Sequence, residues 1–409
     1  MKWDKKKISE LCYRVISGGT PSSGESSYYS GDIPWLRTQE VNFNRIYDTE
    51  IKITQQGLDS SSAKWIKSDS VIVAMYGNSA GRTAISRIEL TTNQACCNLE
   101  IDSTKADSDY VYYYLTNKYS ALKGLARGAA QSNLNSGDIK NFEISLPPLP
   151  TQCRIASILS AYDDLIENNL KRIRLLEEAA QNIYREWFVE MRFPGHETSN
   201  WYVDEKGRRL PEGWRYVRAD EIFNINIGKT PPREEEQWFE GRNGEGIKWV
   251  SIKDLNNSDT YIFDTSERIT VQGVERFNIR RVSAGTVLLS FKLTIGSVAI
   301  TTEEMVTNEA IAHFNLNANG IVGKYFTYCY LKNFDYATLG STSSIGTALN
   351  SKIVKALPIK LPEKKIMNQF ESHVNHLFKM IECLVTNLNL LEEARDLLLP
   401  RLMNQTIEV

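Results

Sequence analysis

This sequence lacks several features that define common classes of protein. Its six cysteines form no Cys-x-x-Cys pair, and none lies at a zinc-ligand spacing from its four histidines, so we expect reduced thiols and no structural zinc. The net charge of −2 argues weakly against nucleic-acid binding without partners, because isolated DNA-binding domains are often basic. No apolar run is long enough to span a bilayer, and the first residues, MKWDKKKISE, lack the apolar core of a secretion signal. These absences predict a cytoplasmic protein that does not enter a membrane.

The 409 residues do contain an internal repeat with an offset close to 215 positions. The pentapeptide LLEEA occurs at 175–179 and again at 390–394. Other matches keep the same order: TTNQA with VTNEA, LNS with LNS, IPWLRTQEV with IKWVSIKDL, ITQQGLD with ITVQGVE, and GGTP with GKTP. Small insertions, of the kind that loops permit, shift the offset slightly. The chain is therefore a tandem duplication.

Each copy begins with a strand-rich domain and ends with a long helix. Short β-branched runs alternate with Gly, Asn, Asp and Ser turns in the domain, and a proline motif, LPPLP or LPIKLP, precedes the helix. We predict an α+β fold with two similar strand-rich domains, related by pseudo-two-fold symmetry and joined by two long antiparallel coiled-coil helices. The predicted boundaries are 1–148 and 212–362 for the domains, 149–190 and 363–409 for the helices, and 191–211 for an exposed linker.

The seam positions of the two helices are spaced by alternating fours and threes. A period of 3.5 residues over about five heptads indicates a coiled-coil seam rather than a helix that lies on a globular surface. The alternative is that each helix packs on its own domain. The predicted seam consists of Ile155, Leu159, Tyr162, Ile166, Asn169, Ile173, Leu176, Ala180, Ile183 and Trp187 in the first helix and Phe370, Val374, Leu377, Ile381, Leu384, Leu388, Leu391, Arg395, Leu398 and Leu402 in the second.

Two polar residues interrupt this seam. Asn169 has Leu384 as its counterpart in the second copy, and one buried polar residue can fix the register of a coiled coil. Arg395, the counterpart of Ala180, lies near the end of the second seam, and we expect its side chain to reach solvent. At about 1.5 Å per residue the first helix extends roughly 57 Å, so we expect the pair to act as a ruler between the two domains.

The motifs GGTPS, IPWLRTQEV, VIVAMYGNSAGRTAI, TTNQACCNL and AAQSNLNSGDIKNFEISLPPLPTQ, followed by an LLEEA-type helix, resemble the specificity subunit of a Type I restriction–modification system. The resemblance covers nearly the whole chain, through both copies. It implies two target-recognition domains that each read half of a split DNA sequence, with helices that set the unread spacer. The second copy departs from the pattern in KLTIGS, which replaces MYGNSAG, and in a shortened proline motif.

The resemblance also implies partners and cofactors. The implied partners are double-stranded DNA, two methyltransferase subunits and two restriction/translocase subunits, with no membrane. S-adenosylmethionine, ATP and Mg are expected on those partner subunits, and no cofactor is expected in this chain. The implied function is that of a non-catalytic subunit that reads a bipartite, asymmetric DNA site and targets the methyltransferase and restriction subunits to it.

Motifs of a catalytic site are not evident in the chain. No Asn or Asp precedes the prolines of LPPLP, as an adenine methyltransferase motif requires. The segment 77–83 resembles a phosphate-binding loop, but it is one residue short and has Arg where Lys belongs. A fused restriction or modification enzyme with its own activity and a coiled-coil protein-interaction scaffold remain the alternatives. Methyl transfer by the isolated chain would favour the enzyme.

The candidate DNA-reading residues lie in Gly-rich loops and polar turns. Arg and Lys can bond guanine edges or phosphates, and Asn and Gln can pair with adenine. Trp35, Trp249 and the tyrosines of 110–114 lie in apolar runs, so we expect them to pack in the core rather than to stack on bases. The candidates are Thr20, Arg37, Gln39, Tyr76, Asn78, Arg82, Gln131 and Asn133 in the first domain and Thr230, Lys253, Lys292, Thr294, Ser344 and Thr347 in the second.

Overall fold

The computed structural model describes residues 3–126, 133–316, 320–339, 349–407 and 409. The chain forms two compact units, which do not follow the predicted domain boundaries. Unit 1 consists of Met1–Glu167 and Asn389–Val409, and unit 2 consists of Asn168–Leu388. Each unit therefore contains one strand-rich domain together with a part of each long helix.

Unit 1 is mainly built from short strands. Its strands are β1 (Asp4–Lys7), β2 (Cys12–Ser17), β3 (Tyr29–Leu36), β4 (Asn44–Ile46), β5 (Lys52–Ile53), β6 (Trp65–Ile66), β7 (Val71–Ala74), β8 (Thr83–Ser86), β9 (Leu90–Thr92), β10 (Cys96–Ile101) and β11 (Glu143–Leu146). Its short helices are α1 (Ile8–Leu11), α2 (Gln55–Asp59), α3 (Ser108–Asn117), α4 (Tyr119–Gly124) and α5 (Ser136–Asn141). The first long helix is α6 (Leu149–Tyr184), which a π-helical turn (Arg185–Val189) extends.

The second copy of the repeat forms a similar set of elements in unit 2. Its strands are β12 (Trp201–Val203), β13 (Arg209–Pro211), β14 (Arg215–Arg218), β15 (Phe223–Ile227), β16 (Phe239–Gly241), β17 (Ile247–Val250), β18 (Tyr261–Ile262), β19 (Glu267–Ile269), β20 (Val287–Ser290), β21 (Val298–Thr301), β22 (Val306–Thr307), β23 (Ile311–Leu316) and β24 (Pro358–Leu361). Its helices are α7 (Ala219–Ile222), α8 (Ile252–Asn256), α9 (Val271–Arg276), α10 (Lys324–Asn333) and α11 (Ser351–Lys355), followed by the second long helix α12 (Lys364–Met403).

The main sheets of the two units have the same topology. The five-stranded sheet has the order β2-β10-β7-β8-β4 in unit 1 and β15-β23-β20-β21-β18 in unit 2. In both sheets the outer pair, β4 with β8 and β18 with β21, is parallel. The four-stranded sheets have the orders β5-β3-β9-β6 and β16-β19-β17-β22. They differ in two ways. An insertion splits the strand equivalent to β3 into β16 and β17, which both pair with β19. The pairing of β6 with β9 is reduced in unit 2 to an isolated bridge between Val282 and Met305.

Several motifs of the repeat are helix starts. In LNS the side chain of Asn135 accepts a hydrogen bond from the amide of Asp138 (2.9 Å) at the start of α5. Asn350 accepts the equivalent bond from Ile353 (2.9 Å) at α11. The threonines of ITQQG and ITVQG cap α2 and α9 in the same way. Such caps satisfy amides that the first helical turn leaves without a partner, which explains why these residue types recur in both copies.

The two long helices pair in opposite directions within each unit. In unit 1, Ile155 and Leu159 near the start of α6 share a buried cluster with Leu402 near the end of α12. In unit 2, the ring of Phe188, in the turn that follows α6, lies 4.9 Å from that of Phe370, near the start of α12. The α+β class and the antiparallel pair of long helices are therefore confirmed. The alternative that each helix packs on its own domain alone is wrong.

The buried stripe follows the predicted seam along the middle of the helices and drifts at the carboxyl-terminal end of α6. Ile155, Leu159, Ile166, Asn169, Ile173, Ile381, Leu384 and Leu388 are buried, whereas Leu176, Ile183, Leu377, Leu391 and Leu398 are half-buried. Ile183 and Leu377 are half-buried and pack against the core of unit 2, whereas the next residues, Tyr184 and Phe378, are fully buried in it. A straight helix has 3.6 residues per turn, so its apolar face departs from a strict 3.5-residue seam.

The segment between the copies packs more closely than predicted. Its strands β12 and β13 form a hairpin. Phe193 and Leu210 are buried, and the ring of Phe193 stacks on that of Trp214 at 5.0 Å. The expectation of an exposed linker is therefore wrong for these apolar residues, which join the core of unit 2.

Candidate nucleic-acid interface

A Gly-x-Thr-Pro loop packs on a Thr-Asn turn in each unit. A Cβ on Gly18 would overlap the backbone of Thr92, and a Cβ on Gly228 would overlap Thr307. The amide of the following residue donates to the same threonine carbonyl at 2.9 Å in both units. Because only glycine permits this approach, the GGTP and GKTP motifs recur together with TTNQA and VTNEA.

Thr20 and Thr230 lie in these loops. The Thr20 hydroxyl bonds the side-chain carbonyl of Gln94, and the Thr230 hydroxyl bonds the carboxylate of Glu309. Thr20 is exposed and Thr230 is half-buried. Since a carboxylate repels phosphate, the loop of unit 2 is less suited than that of unit 1 to a contact with the DNA backbone.

Arg37 and Gln39 lie in the segment that follows the strand of the buried Trp35. Nη2 of Arg37 donates to Oε2 of Glu50 at 2.7 Å, and Nε2 of Gln39 donates to the same oxygen at 3.4 Å. The backbone amide of Arg37 also donates to the carboxylate of Glu40 at 3.1 Å. The charge of Arg37 is thus partly compensated within unit 1 by Glu50, which already occupies one of its guanidinium donors.

The loop between β7 and β8 carries three further candidates. Nη1 of Arg82 donates to Oδ1 of Asn42 at 2.9 Å, which ties this loop to the segment that contains Arg37 and Gln39. Tyr76 is 41% exposed and forms an isolated β-bridge with Asn133. Asn78 and Asn133 are also exposed. These contacts bring Tyr76, Asn78, Arg82 and Asn133 onto adjoining loops.

Asn256 connects the corresponding loops of unit 2 by hydrogen bonds. Its side-chain amide donates to Oγ1 of Thr294 at 3.2 Å, and its carbonyl oxygen accepts from the Ser297 hydroxyl at 2.6 Å. Lys253 is exposed on α8, one turn before Asn256. Lys292 lies in the same β20–β21 loop as Thr294, with its ammonium 5.5 Å from the centre of a phenylalanine ring. Lys292 and Thr294 therefore lie in one loop, which Asn256 connects to the helix that carries Lys253.

Three of the candidates, Gln131, Ser344 and Thr347, lie outside the described residues. The sequence reasoning also missed two residues, Asn42 and Asn256, which connect the loops that carry the candidate residues. Both follow the helical turn after the buried tryptophan strand, in VNFN and LNNS, and they are 214 positions apart. Their recurrence at the repeat offset is the signal that could have identified them.

A polar cluster lies between the paired helices in unit 1. Nη1 of Arg395 bonds Oδ1 of Asp163 at 2.8 Å, and the Tyr113 hydroxyl donates to Oδ2 of Asp163 at 2.5 Å. Burial is the largest single effect and lowers the pKa of Arg395, but the hydrogen bonds and charges of Asp163 and Asp396 together raise it, so that the net pKa is raised. The expectation that Arg395 reaches solvent is wrong, because Asp163 lies within its reach in the folded unit although 232 positions separate them.

Unit 2 has apolar residues at the equivalent positions. The counterparts of Asp163 and Arg395 in the repeat are Phe378 and Ala180, and both are buried in the core of unit 2. The ring of Phe378 stacks on that of Tyr325 with a centroid distance of 4.3 Å. Homologous contacts between the same two helices thus use an ion pair in unit 1 and apolar packing in unit 2.

A second pair of counterparts differs below the Thr-Asn turn. Nδ2 of Asn98 donates to Oγ1 of Thr92 at 2.8 Å in unit 1. His313 replaces this asparagine in unit 2, with Nε2 2.6 Å from Oγ1 of Thr307. Burial, with a smaller effect of the charge of Arg280, lowers the pKa of His313 to about 4. The imidazole is therefore neutral at neutral pH.

Glu371 connects α12 to the domain of unit 2. Its carboxylate accepts a hydrogen bond from the amide of Phe326 at 2.7 Å, in the first turn of α10. A Cβ on Gly323 would overlap the Glu371 carboxyl group, so glycine leaves the room that this contact needs. Burial raises the pKa of Glu371 to about 7, although the bonds from the amides of Phe326 and Tyr325 lower it. The contact between helix and domain thus contains a group that titrates near neutral pH.

Three general properties of the described residues complete the picture. No helix among them is both long and apolar enough to cross a membrane. No group of three or more His, Cys, Asp or Glu side chains in these parts of the chain could hold a metal ion. The cysteines are free thiols, of which Cys96, Cys97 and Cys329 are buried and Cys153 and Cys383 are exposed.

The two units present different side chains from one framework of loops. Arg37, Gln39 and Arg82 have Ser251, Lys253 and Ser297 as their counterparts. Two copies of one catalytic site would require the same reactive groups in both copies, whereas two recognition surfaces can differ. The fold and the loops therefore define a duplicated protein whose two units offer different surfaces for recognition.

A family model described as Type I restriction modification DNA specificity domain matches the chain twice, over residues 1–178 and 211–388. The chain belongs to this family, which supplies the non-catalytic DNA-recognition subunit of Type I restriction–modification systems. The resemblance seen in the sequence motifs is thereby confirmed.

Individual relatives cover most of the chain. It is 28% identical to the Type I restriction enzyme MjaIX specificity subunit of Methanocaldococcus jannaschii, over 98% of this chain and 92% of the relative. It is 23% identical to the HindI specificity subunit of Haemophilus influenzae, over 71% of this chain and 75% of the relative. The crystal structure of a Type I restriction–modification S subunit from M. genitalium has the same fold, with a TM-score of 0.60, 17% identity and coverage of 98% of this chain and 96% of that one.

Proposed function

We propose that this chain reads a bipartite, asymmetric DNA site, with each unit reading one half-site. The observation that carries the proposal is a pair of equivalent hydrogen bonds between loops, from Arg82 to Asn42 in unit 1 and from Ser297 to Asn256 in unit 2. Each bond holds two loops whose exposed polar side chains differ between the units. Since base edges are distinguished by their donors and acceptors, different side chains on one framework select different half-sites.

The residues that we assign to reading remain those of the loops. Lys253 is exposed and suits a guanine edge or a phosphate. Arg37 contributes less to affinity than a free arginine would, because the carboxylate of Glu50 already compensates part of its charge. The full set is Thr20, Arg37, Gln39, Tyr76, Asn78, Arg82, Gln131, Asn133, Thr230, Lys253, Lys292, Thr294, Ser344 and Thr347.

The catalytic steps belong to partners in this proposal. Two methyltransferase subunits bind the chain, two restriction/translocase subunits join them, and these partners hold S-adenosylmethionine, ATP and Mg. Such an assembly acts on cellular DNA in the cytoplasm. Incubating the isolated chain with labelled S-adenosylmethionine and DNA tests this division, because methyl transfer by the chain alone would contradict it.

The unread spacer between the half-sites is set by the long helices. The chain passes between the units after Glu167 in α6 and after Leu388 in α12. Seven residues inserted at both points add about 10 Å of helix and keep the heptad phase. At about 3.4 Å per base pair the preferred spacer should then lengthen by roughly 3 base pairs.

The assay is mapping of methylated adenines in a genome that carries the chain and its partner subunits. The half-sites themselves should stay the same, because no reading loop is changed. A matched control inserts seven Gly and Ser residues in the turn between β12 and β13, which lengthens the chain but not the helices. A spacer that does not change with the helices, or one contiguous site, would refute the proposal.

A further inference from the structure

Leu293 is an apolar side chain displayed at the tip of the β20–β21 loop. It is 82% exposed, more than any other large apolar residue in the described part of the chain. Its backbone has a φ of 65°, a left-handed conformation in which a bulky residue is strained. The equivalent position of unit 1 is Gly77, with a φ of 70° and no Cβ to strain. Unit 2 thus carries a leucine where glycine would fit the backbone better.

Other bulky residues with positive φ are packed within their own unit. The ring of Phe43 meets that of Tyr119 at 5.1 Å, and Met191 packs against the core of unit 2. These contacts offset the backbone strain. At 82% exposure Leu293 has little comparable packing. Strain of this kind concentrates at functional sites.

The loop around Leu293 is held in place on both sides. Thr294 accepts a hydrogen bond from Asn256, and Ser297 donates to the same side chain at 2.6 Å. The amide of Gly296 donates to the carbonyl of Ser290 at 3.1 Å. The leucine is therefore presented by an ordered loop, which reduces the entropy lost when it is covered by a ligand.

We propose that Leu293 is a base-reading residue of unit 2 that contacts the C5-methyl group of a thymine in the major groove. This proposal rests on the proposed function and assigns its chemistry at one position. The neighbouring Lys292 and Thr294 can form hydrogen bonds with phosphates or base edges. An exposed leucine can form only an apolar contact, and the thymine C5-methyl group is the apolar group that the major groove displays at A·T pairs. Gly77 gives unit 1 no equivalent contact, so the two half-sites differ in this requirement.

The experiment uses the full chain with its methyltransferase subunits and the site found by methylation mapping. Each thymine of the site is replaced in turn by deoxyuridine, which removes only the C5-methyl group. Binding of the parent should weaken by about fourfold to tenfold at one thymine of one half-site. Leu293→Gly should weaken binding to the parent duplex by a similar factor and lose its sensitivity to deoxyuridine there. Leu293→Met should retain that sensitivity.

Controls separate this contact from folding and from the proposed function. Leu293→Gly should melt at a temperature no lower than the parent, because glycine relieves the positive φ. Three outcomes would each overturn the proposal. The parent and Leu293→Gly bind DNA equally well, or no thymine of the site is sensitive to deoxyuridine. In the third, Leu293→Gly impairs subunit assembly instead of DNA binding. Absence of any site-specific binding by the parent would instead refute the proposed function.

Discussion

Replacement of Arg395 by alanine should loosen the helix pair in unit 1 and leave the helix pair in unit 2 unaffected. The change removes the guanidinium that bonds Asp163 at 2.8 Å. It also introduces the residue that the repeat itself uses at the equivalent position, Ala180. The carboxylate of Asp163 then keeps the Tyr113 hydroxyl and the more distant charge of Arg45, but it loses the guanidinium that bonds it directly.

The expected magnitude follows from the burial of the pair. Removing one partner of a buried ion pair costs about 3–5 kcal/mol. The side chains of Arg395 and Asp163 are 25% and 11% exposed, so water solvates part of the remaining charge. We therefore expect a loss of about 2–3 kcal/mol of local stability, which corresponds to roughly a 30- to 150-fold change in an opening equilibrium.

Hydrogen exchange of backbone amides measures this effect in each unit separately. Under conditions in which reclosing is faster than exchange, amides of α6 between 155 and 166 should exchange faster by that factor. Amides between 173 and 184, which belong to unit 2, should keep their rates. The triple variant Arg395→Ala, Asp163→Leu, Tyr113→Phe should restore slow exchange in unit 1, since apolar replacement of a buried ion pair is often neutral or stabilising.

Three results would refute this reasoning. Unchanged exchange between 155 and 166 in Arg395→Ala would show that the ion pair contributes nothing to the closed helix pair. If the amides exchanged as fast in the triple variant as in Arg395→Ala, the lost charge compensation of Asp163 would not be the cause of the faster exchange. Equal acceleration in both units would locate the effect outside the cluster.

The remaining predictions concern titrating groups in unit 2. Burial lowers the pKa of His313 to about 4 from an ordinary 6.5, so the unfolded chain takes up a proton before the folded one does as the pH falls. The parent should therefore lose roughly 2 kcal/mol of stability when the pH is lowered from 7 to 5, and His313→Asn should remove this loss. Urea unfolding at both pH values measures the free energy of unfolding. The pKa of Glu371 is raised to about 7 from 4.5, so its contribution has the opposite sign, and stability should fall by about 1–2 kcal/mol as the pH rises from 5 to 7. Glu371→Gln should remove this fall in stability. If either variant, His313→Asn or Glu371→Gln, showed the same pH dependence of stability as the parent, the pKa assigned to that residue would be contradicted.

Features of the fold that depend on local chemistry could be predicted from the sequence. The LNS motif predicts a capped helix start, and both asparagines form that cap. Trp35 and Trp249 lie in apolar runs, and both are buried as expected. Such positions follow from propensity and from the hydrophobic pattern, which act over a few residues.

Contacts between distant segments could not be read in the same way. Asp163 lies one residue from the predicted seam position Tyr162, and nothing near it in the sequence indicates a partner 232 positions away. The compact units also combine the start of one long helix with the end of the other, so no contiguous boundary describes them. The sequence predicted candidate DNA-reading residues as sets of polar loop residues, and their role stays a prediction. The asparagines that connect these loops, Asn42 and Asn256, could be found only by comparing the two copies.

Counterpart positions also distinguish framework residues from reading residues. Exchange of a buried framework residue for its counterpart, as in His313→Asn, should leave the recognised sequence unchanged, because the Thr307 contact is preserved in kind. Exchange of an exposed loop residue, as in Lys253→Gln, introduces the unit 1 residue Gln39 and replaces a charged donor by an amide that can pair with adenine. We expect the base preference to change at one position of one half-site, with the spacer and the other half-site retained. Methylation mapping with both variants tests this distinction between framework and reading residues. If the two exchanges alter the recognised sequence to the same extent, the distinction is wrong.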